Sequence, residues 1–343
     1  MRPVMILLAV LSTTALCFGA TAEFRVKDVP SATALDAARL EPGTIAFSDH
    51  RGDELTDPAT GLIRFEDWAR ARPVQKQFLN LYPGYVEPTV KVTVHGVTKQ
   101  RHDKLHMYVA EARFLVAKPP DAIDLARYAT PSFLEKIDPS IKHRAIAAAD
   151  AVPAKDPENP YNKRPDRRWC EGVARPVCIE SRYQLEGKLP MGVRLANKLE
   201  EGDKKIAETV DFQSELRALS PQEMDQAGLA KLTGVDTSVT GVLEQSTFHV
   251  NQIMRFGKFL AVFQKHPSDP NRTVVTAFMA LAVKTSVLER KKEFERVPIL
   301  RNLVPAQVLM GASSFNTGAS ISAGLPKYAR NRIEAIAGIL QAE

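Results

Sequence analysis

Apolar and polar positions change rhythm several times along this chain, and each change marks an element. Strict alternation comes first at Thr89 to Val97, with Val90, Val92 and Val94 on one side and Lys91, Thr93 and His95 on the other. That period predicts a half-buried strand. Thr98 to Lys104 reads as a polar turn and Leu105 to Ala117 as a second strand, so the pair predicts a hairpin with a long loop. Upstream, Thr44 to Phe47 predicts a short strand and Asp49 to Glu54 a charged turn. Phe65 to Tyr82 predicts a helix anchored by Phe65, Trp68, Phe78 and Leu81, interrupted by Pro73 and ended by Pro83-Gly84.

After the second strand the punctuation is dense. Pro119-Pro120 stops it, Asp121 is placed to cap a helix from Ala122 to Tyr128, and Thr130-Pro131 opens another to Ile137, before a turn at Asp138-Pro139. From Cys178 onward the pattern predicts strands at Cys178 to Glu186, Thr209 to Arg217, Val239 to Met254, Lys258 to Gln264 and Thr273 to Lys284. Gly257 reads as the tight connection before Phe259, and His266 to Asn271 as the turn before the last strand. Val304 to Met310 predicts a short apolar helix and Phe315 to Gly324 a loop. Leu325 to Leu340 is amphipathic: Tyr328, Ile333, Ile336, Ala337 and Leu340 share a face, with Arg330, Asn331 and Glu334 largely opposite.

Composition adds a location. The 343 residues are 44% hydrophobic and 25% charged, which fits a soluble globular protein and excludes a collagen, a mainly disordered chain and a disulfide-dense mini-protein. Arg2, the apolar stretch Val4 to Leu16 and the small pair Ala20 and Ala22 form a secretory signal, with cleavage expected before Glu23. Leu16 before Cys17 argues against lipidation. Loss of residues 1–22 leaves 321 residues (343 − 22) and takes the formal charge from +6 to +5, since Arg2 is the one charge removed. No later apolar stretch approaches the ~20 residues that span a bilayer, so no transmembrane anchor is expected. The expected location is periplasmic or secreted. There an oxidising environment predicts a disulfide between Cys170 and Cys178, with two buried thiols as the alternative. Their spacing, without a neighbouring His, argues against zinc.

The chain divides into the signal peptide (1–22), a mixed N-terminal segment (23–88) and an α+β domain (89–343) carrying a Pro/Arg-rich loop at 151–169. Within that domain, Phe114-Leu115-Val116-Ala117-Lys118-Pro119-Pro120-Asp121-Ala122 resembles the first strand and following helix start of START-like, or helix-grip, domains, and Phe133 to Pro139 resembles their second short helix. The resemblance covers roughly residues 105–343. It implies a curved antiparallel sheet gripping a long C-terminal helix, with an apolar ligand such as a lipid held between them. Two features depart from the pattern: the long 151–169 loop, and the insertion 285–324 before the final helix.

Candidate chemistry is sparse. There is no nucleophile elbow, H-E-x-x-H, Walker loop or dinucleotide fingerprint. His95, His102 and His106 read as turn histidines and His249 as a strand residue, so neither a catalytic group nor a metal site nor a cofactor is expected. Asn316 to Ser320 reads as a tight loop, with anion binding through its amides as the alternative. The stretch Glu289 to Arg296 mixes both charge signs and reads as a solvated face. Lys163, Arg164, Arg167 and Arg168 suit an anionic membrane surface, whereas nucleic acid is not expected. The residues expected to line a ligand cavity are Phe248, Val250, Phe259, Phe263, Phe278, Met279, Tyr328 and Ile336. The expected function is non-catalytic binding of a hydrophobic small molecule or lipid. The alternatives are a cell-envelope structural or interaction protein, and a hydrolase using His249 or the other three histidines.

Overall fold

The computed structural model describes residues 24–58, 60–81, 89–102, 104–152, 169–171, 176–184, 209–250, 254–285 and 321–342. The strands are β1 (Arg25–Asp28), β2 (Thr44–Asp49), β3 (Thr56–Asp57), β4 (Leu62–Arg64), β5 (Thr89–Val94), β6 (Val97–His102), β7 (Leu105–Val116), β8 (Ile141–Ala145), β9 (Val177–Gln184), β10 (Thr209–Leu219), β11 (Val239–Val250), β12 (Met254–Lys265) and β13 (Thr273–Lys284). The helices are α1 (Phe65–Ala71), α2 (Pro73–Leu81), α3 (Pro131–Ile137), α4 (Gln226–Thr233) and α5 (Ile321–Ala342). One large curved sheet runs in the order β1-β2-β7-β13-β12-β11-β10-β9-β8, with β4 also on β7 and β3 on β4. Strands β1 and β2 are parallel, and the other described pairings are antiparallel. The segment expected to be a signal peptide (1–22), the bulk of the Pro/Arg-rich loop (153–168), 289–296, 304–310 and 316–320 lie outside the described residues. Among the described residues, no helix is long and apolar enough to cross a membrane.

Side chains alternate across a strand, and here both faces are covered. On the concave face, Phe114 of β7, Met279 of β13 and Phe259 of β12 join α5 in the larger core cluster. On the outer face, Met107 and Val109 of β7, Phe278 of β13 and Leu260 of β12 pack with Phe65, Trp68, Leu79, Leu229 and Leu232 from α1, α2 and α4. All twelve residues of β7 are buried as a result. The near-continuous apolar run of β13 has the same cause: a strand covered on both sides has no solvent face to keep polar.

Two charged brackets hold the outer layer. Arg113 is fully buried and donates from Nε to Thr276 Oγ1 (3.1 Å), from Nη1 to the Leu35 carbonyl (2.6 Å) and from Nη2 to the carbonyl of Thr233, the last residue of α4. Glu111, one pleat away, accepts from the backbone N–H groups of Ala32 and Thr33 and the hydroxyls of Ser31 and Ser48. A buried charge pair sits further across the face, where Lys258 Nζ lies 2.6 Å from Glu244 Oε1 and Ser246 donates to the same oxygen.

Several expectations change in detail. Residues 98–104 are not a polar turn: β6 pairs with β5 through a tight His95-Gly96 turn, both at positive φ (50° and 78°). That is the backbone hand a two-residue hairpin requires. Consequently β7 is free of β5 and pairs with β13, β2 and β4 instead. Gly257 is no connection but an interior residue of β12, where an added Cβ would sit 3.2 Å from the Leu281 side chain. The helix expected at 122–128 is two 3-10 turns, and Asp124 rather than Asp121 caps the second. Strand β8 and helix α4 were not anticipated, although Asp225 and Gly234 (φ 67°) cap α4 at its two ends. The final helix starts at Ile321 within the expected loop, and Pro326 lies inside it. Within the N-terminal segment, β1, β2 and β4 extend the same sheet beyond β7. Helix α3 begins as expected, with Thr130 Oγ1 accepting from the Phe133 N–H.

Candidate functional site

Helix α5 buries Leu325, Ala329, Ile333, Ile336, Ala337 and Leu340, a stripe at the 3.6-residue period. Over β2, β7, β13 and β12 this stripe meets aromatic and aliphatic side chains and closes the grip with hydrocarbon. The concave face changes character across β11 to β8. Gln245 of β11 donates to Ser214 Oγ of β10 (3.0 Å), and His143 Nδ1 of β8 lies 2.7 Å from Ser181 Oγ of β9. Ser181 and Ser214 are fully buried.

Arg332 of α5 reaches down to this polar end. It donates to Gln245 Oε1 and to Tyr328 Oη (3.4 Å), and its guanidinium lies 5.4 Å from the centre of the Phe259 ring. A cleft of about 220 Å³ opens here between α5 and the exit of α3, lined by Ile137, Asp138, Ser140, Lys327, Tyr328, Asn331 and Arg332. Burial, then the nearby Arg332 charge, push His143 down to about 4, against the pull of Glu135 and Asp138. The imidazole is therefore neutral at pH 7 and serves here as a hydrogen-bonding group.

A larger cavity of about 750 Å³ lies at the sheet edge, between the β1–β2 end, α1, α2 and the outer face of β7. Its walls carry many charges, and they pair with one another: Arg51 with Asp49, Arg72 with Asp53, and Arg330 with Asp28. Glu111 on its floor is occupied by the donors described above. His50 is also in this wall, with Nδ1 3.1 Å from Thr56 Oγ1. Because that hydroxyl donates to the His50 carbonyl (2.5 Å), Nδ1 carries the proton and donates to it.

Burial pushes His50 down to about 4 from 6.5. Between those two values the unfolded chain binds a proton that the folded chain refuses, so stability rises with pH across that window. The contribution is complete above pH 6.5 and lost as pH falls to 4, amounting to about 3 kcal/mol at ~1.4 kcal/mol per pH unit. Because His143 is pushed down to about 4 as well, urea unfolding at stepped pH is expected to show two such contributions, and His50→Gln is expected to remove about half of the slope. An unchanged slope in the variant would assign the pH dependence to other groups.

The structure distributes the expected cavity residues over three places. Phe259, Phe263, Met279, Tyr328 and Ile336 belong to the concave cluster under α5. Phe278 faces the opposite side, among the helices of the outer layer, because it neighbours Met279 and adjacent strand residues cannot face the same way. Phe248 also faces outward and stacks on Trp169 at 4.6 Å, beside the Cys170–Cys178 disulfide. The side chains of Val250, His249 and His102 lie outside the described residues. His95 and His106 are not gathered: one is in the hairpin turn, whereas the other is buried on β7 against Thr285. Among the described residues, no group of three or more His, Cys, Asp or Glu is placed to hold a metal. Arg332, Gln245 and His143 were missed. Arg332 is four residues from both Tyr328 and Ile336, so helical spacing already placed it on their face.

No family model matches the sequence, and no curated protein matches it. Among solved structures the chain is similar to the Zhui aromatase/cyclase from Streptomyces sp. R1128, at TM-score 0.33 and 11% identity, over 68% of this chain and 94% of that one. It is similar to Ara h 8.0201 at TM-score 0.30 and 10% identity, over 70% and 99% of the two chains. It is similar to the human StarD13 lipid transfer and protein localization domain at TM-score 0.24 and 7% identity, over 64% and 83%. The chain's own topology gives the fold: β7, two 3-10 turns and the short helix α3, six further antiparallel strands returning to β7, and a closing helix across the concave face. That order is a helix-grip fold, enlarged by an N-terminal sheet edge and a second helical layer.

Proposed function

We propose that the protein binds a small amphipathic molecule between α5 and the concave face, in a binding rather than a catalytic role. The observation that supports this is the two-ended wall. Phe259, Met279 and Ile336 give it an apolar end, and Gln245, Ser214, Ser181 and His143 a polar one, with the cleft at that polar end. Ligand sites combine a mainly apolar lining with a few placed polar groups.

The cleft is smaller than the ~300–1,000 Å³ that drug-sized ligands occupy, so a larger ligand requires the start of α5 to lift. The two ends of α5 differ in a way that suits this. Pro326 has no N–H for the helix ladder. The far end is fixed, with Lys118 Nζ on the Leu340 carbonyl (2.9 Å) and the Ala117 N–H on Gln341 Oε1 (3.0 Å). The same reading places the protein outside the cytoplasm, supported by the N-terminal charge, apolar stretch and small residues, and by the Cys170–Cys178 disulfide.

The test is titration of the folded protein with N-phenyl-1-naphthylamine, an uncharged fluorescent apolar probe. Saturable binding at one site per chain is expected, weakened at least tenfold by Met279→Trp, which fills the apolar end. Absence of saturable binding, or binding indifferent to that substitution, would overturn the proposal.

A further inference from the structure

Arg332 differs from three other arginines, one each on α5, β8 and β9. Arg330, Arg144 and Arg182 each pair with a carboxylate: Asp28, Glu180 at 2.7 Å and Asp211 at 2.7 Å respectively. Arg332 is half-buried, and its partners are an amide oxygen, a phenol and an aromatic face. Among the described residues, no carboxylate lies within ion-pair distance of it. A guanidinium taken partly out of water gains most from an ionised, planar acceptor, and a neutral amide replaces that only in part.

The rest of the cleft does not supply the missing charge. Lys327 lines it too, one turn and a residue before Arg332. Asp138 is the one acid among the lining residues, and its Oδ1 already accepts from the Ser140 N–H (3.0 Å) and hydroxyl (2.5 Å). Glu135 is turned to the His143 backbone N–H (3.2 Å). The neighbouring cation Lys142 is exposed on β8. The wall therefore presents two cations against one engaged carboxylate, with hydrogen-bond donors at Tyr328 and Asn331 beside them.

Resting on the binding role proposed above, we infer that the ligand carries a compact oxyanion, a carboxylate or a phosphate, on an apolar body. The oxyanion sits in the α5–α3 cleft against Arg332 and Lys327, and displaces the Gln245 amide from the guanidinium. The apolar body runs toward Phe259, whose ring then contacts both the guanidinium and the ligand. The Tyr328 hydroxyl turns to donate to the anion.

Displacement of N-phenyl-1-naphthylamine by decanoate, decyl phosphate and 1-decanol separates the possibilities. Decanoate or decyl phosphate is expected to compete at least tenfold better than decanol, and whichever is stronger identifies the source of the anion. Arg332→Gln is expected to remove that preference, and Arg332→Lys to restore part of it. If the probe binds but all three compounds compete equally, the oxyanion inference is overturned and the binding role stands. The same holds if Arg332→Gln keeps the preference. If the probe does not bind, both fall. Should the variants not fold, the wild-type comparison of the three compounds decides the matter alone.

Discussion

Replacing Arg113 by methionine is expected to cost about 3–5 kcal/mol of folding stability, a large share of the ~5–15 kcal/mol that holds an ordinary domain. The side chain is fully buried and its three hydrogen bonds run to three separate segments: β13 at Thr276, the Leu35 loop, and the end of α4 at Thr233. Methionine fills the space but satisfies none of the acceptors, and each orphaned buried acceptor costs ~1–3 kcal/mol. The Thr233 carbonyl is at a helix C-terminus, where a cation is additionally favoured. Arg113→Lys is expected to recover only part of the loss, because one ammonium cannot serve three acceptors in a fixed fork. Urea unfolding with a constant m-value is the measurement. A loss below about 1 kcal/mol for the methionine variant would mean that water takes over all three acceptors.

Lys258→Met is expected to be comparably damaging at neutral pH, about 3–5 kcal/mol, since it strands Glu244 with Ser246 as its remaining hydrogen-bond partner. Burial already pushes the Glu244 carboxyl up, and Lys258 is the main force holding it down. In the variant the carboxyl is therefore raised well above its unfolded value and takes up a proton on folding. Stability from a raised carboxyl is present below the unfolded pKa and lost as pH rises through the folded one. The gap between variant and wild type is thus expected to narrow as pH falls toward 4.5. The double variant Lys258→Met/Glu244→Leu is expected to regain most of the loss, because removing both charges leaves nothing uncompensated. A single variant that is as stable as wild type at pH 7 would show that water reaches Glu244.

The strands were readable because their pattern is local. β13 runs from Thr273 to Lys284, as the apolar run suggested, and Thr130 caps α3 by a hydroxyl whose position is visible in the sequence. What was not readable is which neighbour covers each face. The run Val274 to Val283 suits a ligand cavity, a dry core, or two separate layers equally well, and only the third is what α1, α2 and α4 make of it. Phe278 and Phe248 were misjudged for that reason, though alternation alone forbids Phe278 and Met279 from sharing a wall. Helix α4 escaped notice because eight residues with three buried side chains carry little periodicity. The turn at His95-Gly96 was obscured because histidine at positive φ is unusual. Tyr328 and Ile336 were legible only as parts of the helical stripe that packs on the sheet. Gln245, Ser214 and His143 become a polar end only when β8 to β11 line up beneath α5.

The place of β7 in the sheet also sets the tempo of folding. It lies between β2 and β13, and Arg113 on it bonds to Thr276, 163 residues further along the chain. A strand at the middle of the sheet is thus waiting for one that leaves the ribosome near the end of synthesis. Until β13 arrives, one edge of β7 lacks its longest hydrogen-bonded partner, and the loop that must close is long, which slows the search. Such a chain commits late to its native state. Under the export proposed above, this delay would suit passage through a membrane, since the strand that completes the β7 pairing is among the last to be made.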